Sequence, residues 1–472
     1  MKSFNVLAVI TIALSGILAQ NAHADAKEYY FRRAQMRKEL GAQAKFLSAT
    51  VPDQLFDQKL DHTNAQDTRT FKQRYWVNST FAKTPKAPVL FYICGEATCS
   101  AADLGGATLE NAQKLGAYAV ALEHRYYGTS QPFDSLTTEN LKYLTIGNAL
   151  ADLAQFEQFA KDKLGLTGKW VSIGGSYPGA LSAYFRTLYP NMIEGSLASS
   201  APVQARENFE DYDRHVFEVA GPECATAMRQ VVKMAEDALT DPAQFAAIKK
   251  AFAAEVIVDN DDFLYLIADV GASAVQYGMK DQFCDALATH ADVLKAYGDF
   301  AQQVYSMWGV DALGFSAQSA ENLDPNSYLA GFGMRQWMYQ SCTQFGFFQN
   351  AYHDPAYSVR SPRINPAYHR NLCKRLFGFD QPVDIAGTNQ TYYAPILSGA
   401  TKILMTNGSQ DPWSLLGISD PNGNNTNPNL TVMLIDGAAH CDDLRATKTT
   451  TSTSVAAAKA KFSELAASWF TP

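Results

Sequence analysis

One serine stands where a strand pattern gives way to a helix pattern. The run is Lys169-Trp-Val-Ser-Ile-Gly-Gly-Ser-Tyr-Pro-Gly-Ala-Leu-Ser-Ala-Tyr-Phe-Arg186, with Ser176 directly after two glycines. Trp170, Val171 and Ile173 favour a strand, and the residues after the serine favour an apolar helix. A sharp strand-to-helix turn lifts the hydroxyl above a sheet and leaves no room for side chains around it. The Tyr177 N–H can then point at a developing oxyanion. Such turns usually carry glycine two residues after the serine; here Pro178 precedes Gly179. Proline in the first helical turn removes an N–H that has no intrahelical partner in any case, so the turn survives.

A serine nucleophile needs a base, and the base needs an orienting carboxylate. In this architecture the chain order is serine, acid, histidine, with both partners on loops after late strands. Asn407-Gly-Ser-Gln-Asp-Pro-Trp413 follows the apolar run Lys402–Thr406, and Asp436-Gly-Ala-Ala-His440 follows Thr431–Ile435. Asp411 and His440 are therefore the candidate acid and base. Asp436, Asp442 and Asp443 compete for the acid's role, but they stand too close to His440 in sequence to reach its far ring nitrogen easily. His62, His124, His215, His290, His353 and His369 read as solvated or core groups. A second oxyanion donor is expected from the loop after Val89–Cys94, at Gly95 and Glu96. The Glu96 carboxylate could bind a substrate amine or pair with Arg125. Tyr126 and Tyr127 add aromatic walls at the same edge.

The elements that must position these groups are short apolar runs: Val89–Cys94, Ala119–Glu123, Lys169–Ile173, Glu194–Ala198, Lys402–Thr406 and Thr431–Ile435. Near-continuous apolar strands separated by helices predict an α/β fold with a parallel sheet covered on both faces. Helices are predicted over Ile146–Leu164, Ala180–Leu188 and Val455–Trp469. From 206 to 385 strand signals nearly vanish, and Ala225–Ala238, Pro242–Phe252, Phe263–Tyr277 and Asp281–Met307 read as helices. That stretch is expected to be a helical cap inserted between late strands, over the sheet edge where ligands bind. The sheet domain would then comprise 25–205 and 386–472.

With 472 residues, 47% hydrophobic and 18% charged, the chain can bury one large core. Residues 1–24 read as a secretory signal: Lys2, an apolar stretch from Val6 to Leu18, and Ala22-His-Ala24 as the cleavage site. That stretch is too short to span a bilayer, so an exported protein is expected. A formal charge of −8 without basic runs argues against nucleic acid or anionic membrane as partner. Seven cysteines in an exported chain suggest disulfides plus one odd thiol. Cys94 and Cys99 could close one short loop. Without C-x-x-C or H-E-x-x-H, neither a metal nor any other cofactor is expected.

Phe56-Asp-Gln-Lys-Leu-Asp-His62, Thr70–Asn78, Glu123-His-Arg-Tyr-Tyr-Gly128, Gly174–Gly179, Asn407–Trp413 and Ala439-His440 occur together in one order. In these motifs the chain, from about residue 50 to 470, resembles the serine peptidases that include lysosomal Pro-X carboxypeptidase, dipeptidyl peptidase II and thymus-specific serine protease. Gly174–Gly179 and Trp337–Gly346 are most like the thymus-specific branch. The resemblance implies an α/β-hydrolase with a helical cap and Ser176, Asp411 and His440 as triad. It also implies cleavage after proline, as a Pro-X carboxypeptidase or an Xaa-Pro dipeptidyl peptidase, on peptide substrates and as a possible homodimer. It suggests the pairings Cys224–Cys284 and Cys342–Cys373, and a place for Trp413 in a proline pocket. Glu96, Asp281, Arg125 and Arg335 are the candidates for holding a peptide terminus. The departures are Cys94–Cys99, where relatives have a more glycine-rich loop, and Gln344 in place of an acid. An esterase on the same scaffold and an inactive binding protein are the rival readings.

Overall fold

The computed structural model describes residues 47, 49–328 and 332–471; the expected signal segment, 1–24, lies outside the described residues. The strands of the main sheet are β1 (Gln54–Lys59), β2 (Thr70–Asn78), β3 (Val89–Ile93), β4 (Tyr118–Leu122), β5 (Trp170–Gly175), β6 (Gly195–Ser199), β9 (Ile403–Gly408) and β10 (Thr431–Ile435). They lie in the order β1-β2-β4-β3-β5-β6-β9-β10. β2 is antiparallel to both neighbours, and every pairing from β4 to β10 is parallel. The six strands read from apolar runs are all present, shifted by at most two residues at either end. The β1–β2 hairpin was not among them, because its strands alternate charged outward residues with buried ones such as Phe56, Phe71 and Tyr75. An antiparallel edge that faces water on one side carries no continuous apolar run.

Helices Gly106–Leu115, Ile146–Lys163 and Tyr177–Leu188 make the crossovers that parallel strands require. Thr145 starts the second of these by accepting the Asn148 N–H on its side chain. Leu150, Leu153, Phe156 and Ala160 form its buried stripe, and Phe156 packs on Phe56 and Phe91 of the sheet. On the other face the closing helix, Thr453–Phe470, lies so close to β6 that a Cβ on Gly195 would fall 2.2 Å from the Trp469 ring.

Between β6 and β9 the chain is mostly helical, with Pro222–Asp237, Asn260–Gln276 and Val293–Trp308 the longest elements. Two three-residue strands, β7 (Arg206–Asn208) and β8 (Gly346–Phe348), pair in parallel there. The single helix expected over Asp281–Met307 is instead two, Lys280–Thr289 and Val293–Trp308. His290 is extended (φ −86°, ψ 134°), and Asp292 caps the second helix by accepting the Lys295 N–H. An aspartate that offers a cap competes with helix continuation. Disulfides join Cys94 to Cys99, Cys224 to Cys284 and Cys342 to Cys373, and Cys441 keeps a free thiol.

Candidate active site

β5 delivers Ser176 to the first position before a helix in a strained conformation, φ 62° and ψ −135°. A non-glycine residue held at positive φ costs on the order of 1–3 kcal/mol and persists only where its surroundings enforce it. Those surroundings are tight. A Cβ on Gly174 would lie 2.1 Å from the Pro178 carbonyl, and one on Gly175 would lie 2.8 Å from Cys441 Sγ. One on Gly179 would meet the Ser199 carbonyl at 2.8 Å. The Ser176 N–H is fixed by the Ser199 carbonyl at 2.9 Å. Beneath the turn, His124 Nδ1 bonds the Arg125 carbonyl at 2.8 Å and Nε2 bonds the Tyr177 hydroxyl at 2.9 Å. A carbonyl only accepts, so Nδ1 carries the proton and Nε2 accepts from Tyr177, whose oxygen in turn accepts from Gln340 Nε2. Burial lowers the His124 pKa to about 4, consistent with this neutral tautomer.

Asp411 opens a short helix after β9, and one carboxylate oxygen accepts the Trp413 N–H at 3.0 Å. The other receives His440 Nδ1 at 2.7 Å, with both side chains at most 5% exposed. Burial alone would lower the imidazole pKa, but the Asp411 carboxylate outweighs it and holds His440 well above its ordinary range. The far ring face meets Tyr277 edge-on at 5.9 Å. The rival acids have other work. Asp442 accepts the Ala439 N–H at 2.8 Å, and Asp443 accepts from Ser199 Oγ at 2.5 Å and Thr406 Oγ1 at 2.7 Å. Asp436 is exposed at the surface, where its backbone carbonyl accepts the Ser454 hydroxyl.

A cavity of about 160 Å³ opens over Ser176, with Glu96, Asp269, Trp308, Trp337 and Trp413 in its walls. Gly95 sits over the serine turn, where a Cβ would strike Pro178 Cγ at 2.3 Å, so this loop can approach only as glycine. Glu96 lines the same cavity as Ser176, and the Tyr177 N–H stands at a helix start, where it has no intrahelical partner. Burial pushes the Glu96 carboxyl up to about 7, partly opposed by nearby His440. Trp413 packs against Phe209, Tyr212 and Phe347 and donates its indole N–H to Gln276 Oε1 at 2.9 Å.

Three expected substrate contacts are corrected. Arg125 is fully buried, doubly bonded to Asp152 at 2.5 and 2.6 Å and bonded to the Leu60 and Tyr143 carbonyls. It faces neither Glu96 nor the cavity, because Glu123, directly after β4, takes Arg74 and leaves Arg125 to the hairpin side. Arg335 donates to the carbonyls of Leu136, Ala320 and Leu376 inside the helical region. Asp281 is 88% exposed on the outer surface beside Lys280. Tyr126 and Tyr127 are buried core residues outside the cavity lining, bonded to the Asn140 carbonyl and to Gln340. Gln344 accepts the Ile146 N–H and so caps a helix start.

Sequence reasoning missed Gln276. Its backbone carbonyl accepts the His440 N–H at 2.9 Å, and its side chain accepts both Tyr212 Oη–H and Trp413 Nε1–H. Nothing in a helix-terminal glutamine far from His440 in the chain could have marked it. Among the described residues no three His, Cys, Asp or Glu side chains group to hold a metal ion.

A mostly parallel sheet in this strand order, with a strained serine turn after the fifth strand, defines an α/β-hydrolase. The chain belongs to the serine carboxypeptidase S28 family, whose model matches residues 58–462. It is 40% identical over 380 residues to the probable serine protease EDA2 of Arabidopsis thaliana, covering 77% of this chain and 76% of that one. To the thymus-specific serine protease of Mus musculus it is 30% identical, over 89% and 88% of the two chains. To the lysosomal Pro-X carboxypeptidase of Bos taurus it is 27% identical, over 82% of each. Among solved structures, the acetyl esterase MekB overlays with a TM-score of 0.44 at 11% identity, over 88% of this chain and 96% of its own.

Proposed function

We propose that Ser176, Asp411 and His440 act as a catalytic triad in an exported serine exopeptidase that cleaves short peptides on the carboxyl side of proline. The observation that carries this reading is the buried 2.7 Å contact of Asp411 with His440, together with a serine held strained in the cavity wall. His440 takes the Ser176 proton as the hydroxyl attacks the peptide carbonyl. Asp411 stabilises the imidazolium, and the N–H groups of Tyr177 and the Gly95–Glu96 segment receive the oxyanion. The tetrahedral intermediate collapses to an acyl-enzyme as His440 protonates the leaving amine, and water then reverses the sequence. Trp413, Trp337 and Phe332 offer the flat apolar walls that a proline ring requires.

Export is supported by three disulfides. Among the described residues no helix is long and apolar enough to cross a membrane. The test is turnover of fluorogenic prolyl amides by wild type and Ser176→Ala, with thermal unfolding of both. Loss of turnover at unchanged stability is expected. Turnover near wild type in Ser176→Ala, or cleavage of aryl esters but no prolyl amide, refutes the reading.

A further inference from the structure

The charges around the cavity are one-sided. Among its described lining residues Glu96 and Asp269 are the carboxylic acids, and none is lysine or arginine. Asp269 lies on the helix Asn260–Gln276, whose Tyr265, Asp269, Ser273 and Gln276 line the cavity along one face. Its Oδ1 is sealed against Arg360 Nη2 at 2.9 Å, so the exposed quarter of its side chain lies on the remaining atoms. Arg360 is 1% exposed, held over the Tyr212 and Tyr265 rings, and has a second carboxylate, Asp213, at 3.9 Å. Asp213 is already supplied by the Tyr352 and Val359 N–H groups and the Ser358 hydroxyl. Two carboxylates share one guanidinium, and the one with capacity to spare stands on the cavity wall.

We propose that the cavity receives the free amino terminus of a peptide and that Asp269, braced by Arg360, binds its ammonium. The inference rests on the peptidase reading of Ser176 and decides which end of the peptide enters. Among the described residues a terminal carboxylate finds no lysine or arginine in the walls, since Arg360 is buried behind Asp269 and Arg125 and Arg335 are committed elsewhere. Burial raises the Asp269 carboxyl above its ordinary range against the pull of Arg360, and an ammonium at its second oxygen would offset that cost.

The helix supplies a ruler. Asp269 stands seven residues before Gln276, whose carbonyl touches the His440 N–H. At about 1.5 Å of rise per residue, that is about 10 Å. An extended peptide covers about 3.3–3.6 Å per residue, which places the ammonium two or three residues before the scissile bond. The products released are therefore amino-terminal di- or tripeptides.

The test is protection of Ser176 from a fluorophosphonate label by Ala-Pro amide and Ala-Ala-Pro amide, each against its N-acetyl twin. One charge-assisted hydrogen bond predicts that a free amine protects at about 10- to 100-fold lower concentration than its twin. Asp269→Asn should reduce that ratio to about twofold or less, and Glu96→Gln should retain it. If Asp269→Asn no longer takes the label, Asp269→Asn/Arg360→Met, which also removes the stranded guanidinium, is read in the same way. Equal protection by free and acetylated peptides in wild type overturns the inference, as does a ratio lost in Glu96→Gln but kept in Asp269→Asn. Turnover of a free-amine prolyl reporter is scored separately. Selective protection without turnover would sink the peptidase reading and leave the ammonium site standing.

Discussion

Replacing Asp443 should detach the histidine turn from the sheet, and the size of the effect follows from its contacts. Its carboxylate receives the hydroxyls of Ser199 at the end of β6 and of Thr406 in β9, and all three side chains are buried. The Ser199 carbonyl holds the Ser176 N–H, and Ser200 Oγ holds the Cys441 N–H, so the nucleophile turn and the His440 turn meet at this lattice. Asp443→Ala leaves two buried hydroxyls without partners, at about 1–3 kcal/mol each. A loss of about 2–6 kcal/mol is expected, which for a chain of 472 residues, unfolding with an entropy of about 1 kcal/mol/K, lowers Tm by roughly 2–6 °C. If His440 then shifts by even about 1 Å, kcat should fall about 100-fold. Asp443→Asn keeps the shape, and both hydroxyls can turn to suit an amide, so most of the stability and activity should return. The assay is thermal unfolding by circular dichroism alongside kcat and KM on a prolyl amide. A Tm within a degree or so of wild type in Asp443→Ala refutes the reasoning. So does Asp443→Asn as damaged as the alanine variant, which would make the charge, not the hydroxyl lattice, the cause.

Because burial holds Glu96 protonated up to about 7, the folded chain keeps a proton that the unfolded chain releases near its ordinary pKa of about 4.3. Its contribution to stability is therefore fully present below that pH and is lost as pH rises through about 7. The difference in stability between wild type and Glu96→Gln, from denaturant titrations between these limits, should show that slope; a flat difference would refute it. Cys94→Ala/Cys99→Ala opens the loop carrying Gly95 and Glu96 and should cost about 2 kcal/mol, given the short span closed. It should lower kcat more than it raises KM, and unchanged kcat would separate this loop from the oxyanion. Gln276→Leu strands the Tyr212 hydroxyl and the Trp413 indole N–H while keeping the backbone contact to His440. The expected result is weakened binding of proline-containing inhibitors, measured by calorimetry, with fluorophosphonate labelling within about threefold of wild type. Matched losses in both would show that the side chain also places the base.

The parallel strands were legible because each is a short apolar run, buried on both faces in all but the edge strand β10, and the serine turn because its glycines answer to contacts that admit no Cβ. Asp411 and His440 were legible from their places after β9 and β10. The β1–β2 edge was hidden by its own alternation of polar and apolar residues. Arg125 was misplaced because chain proximity to Glu123 says nothing about which side of β4 a long side chain takes. It turned to Asp152, where a bidentate geometry was available. Asp269 and Gln276 were beyond sequence reasoning, since their meaning comes from how the helix Asn260–Gln276 lies across the sheet edge.

The bond from His440 N–H to the Gln276 carbonyl ties the proposed general base to a helix that lines the cavity. Swinging that helix aside to admit a bulky chain would pull away one of the base's own fastenings. Access and readiness are thus wired in opposition. A slender peptide that threads the standing aperture meets an armed enzyme, and a folded protein that forces the helix aside disarms it. The proposed selectivity for short peptides would in that sense be a fail-safe as well as a matter of width, and it would hold even if the doorway breathed.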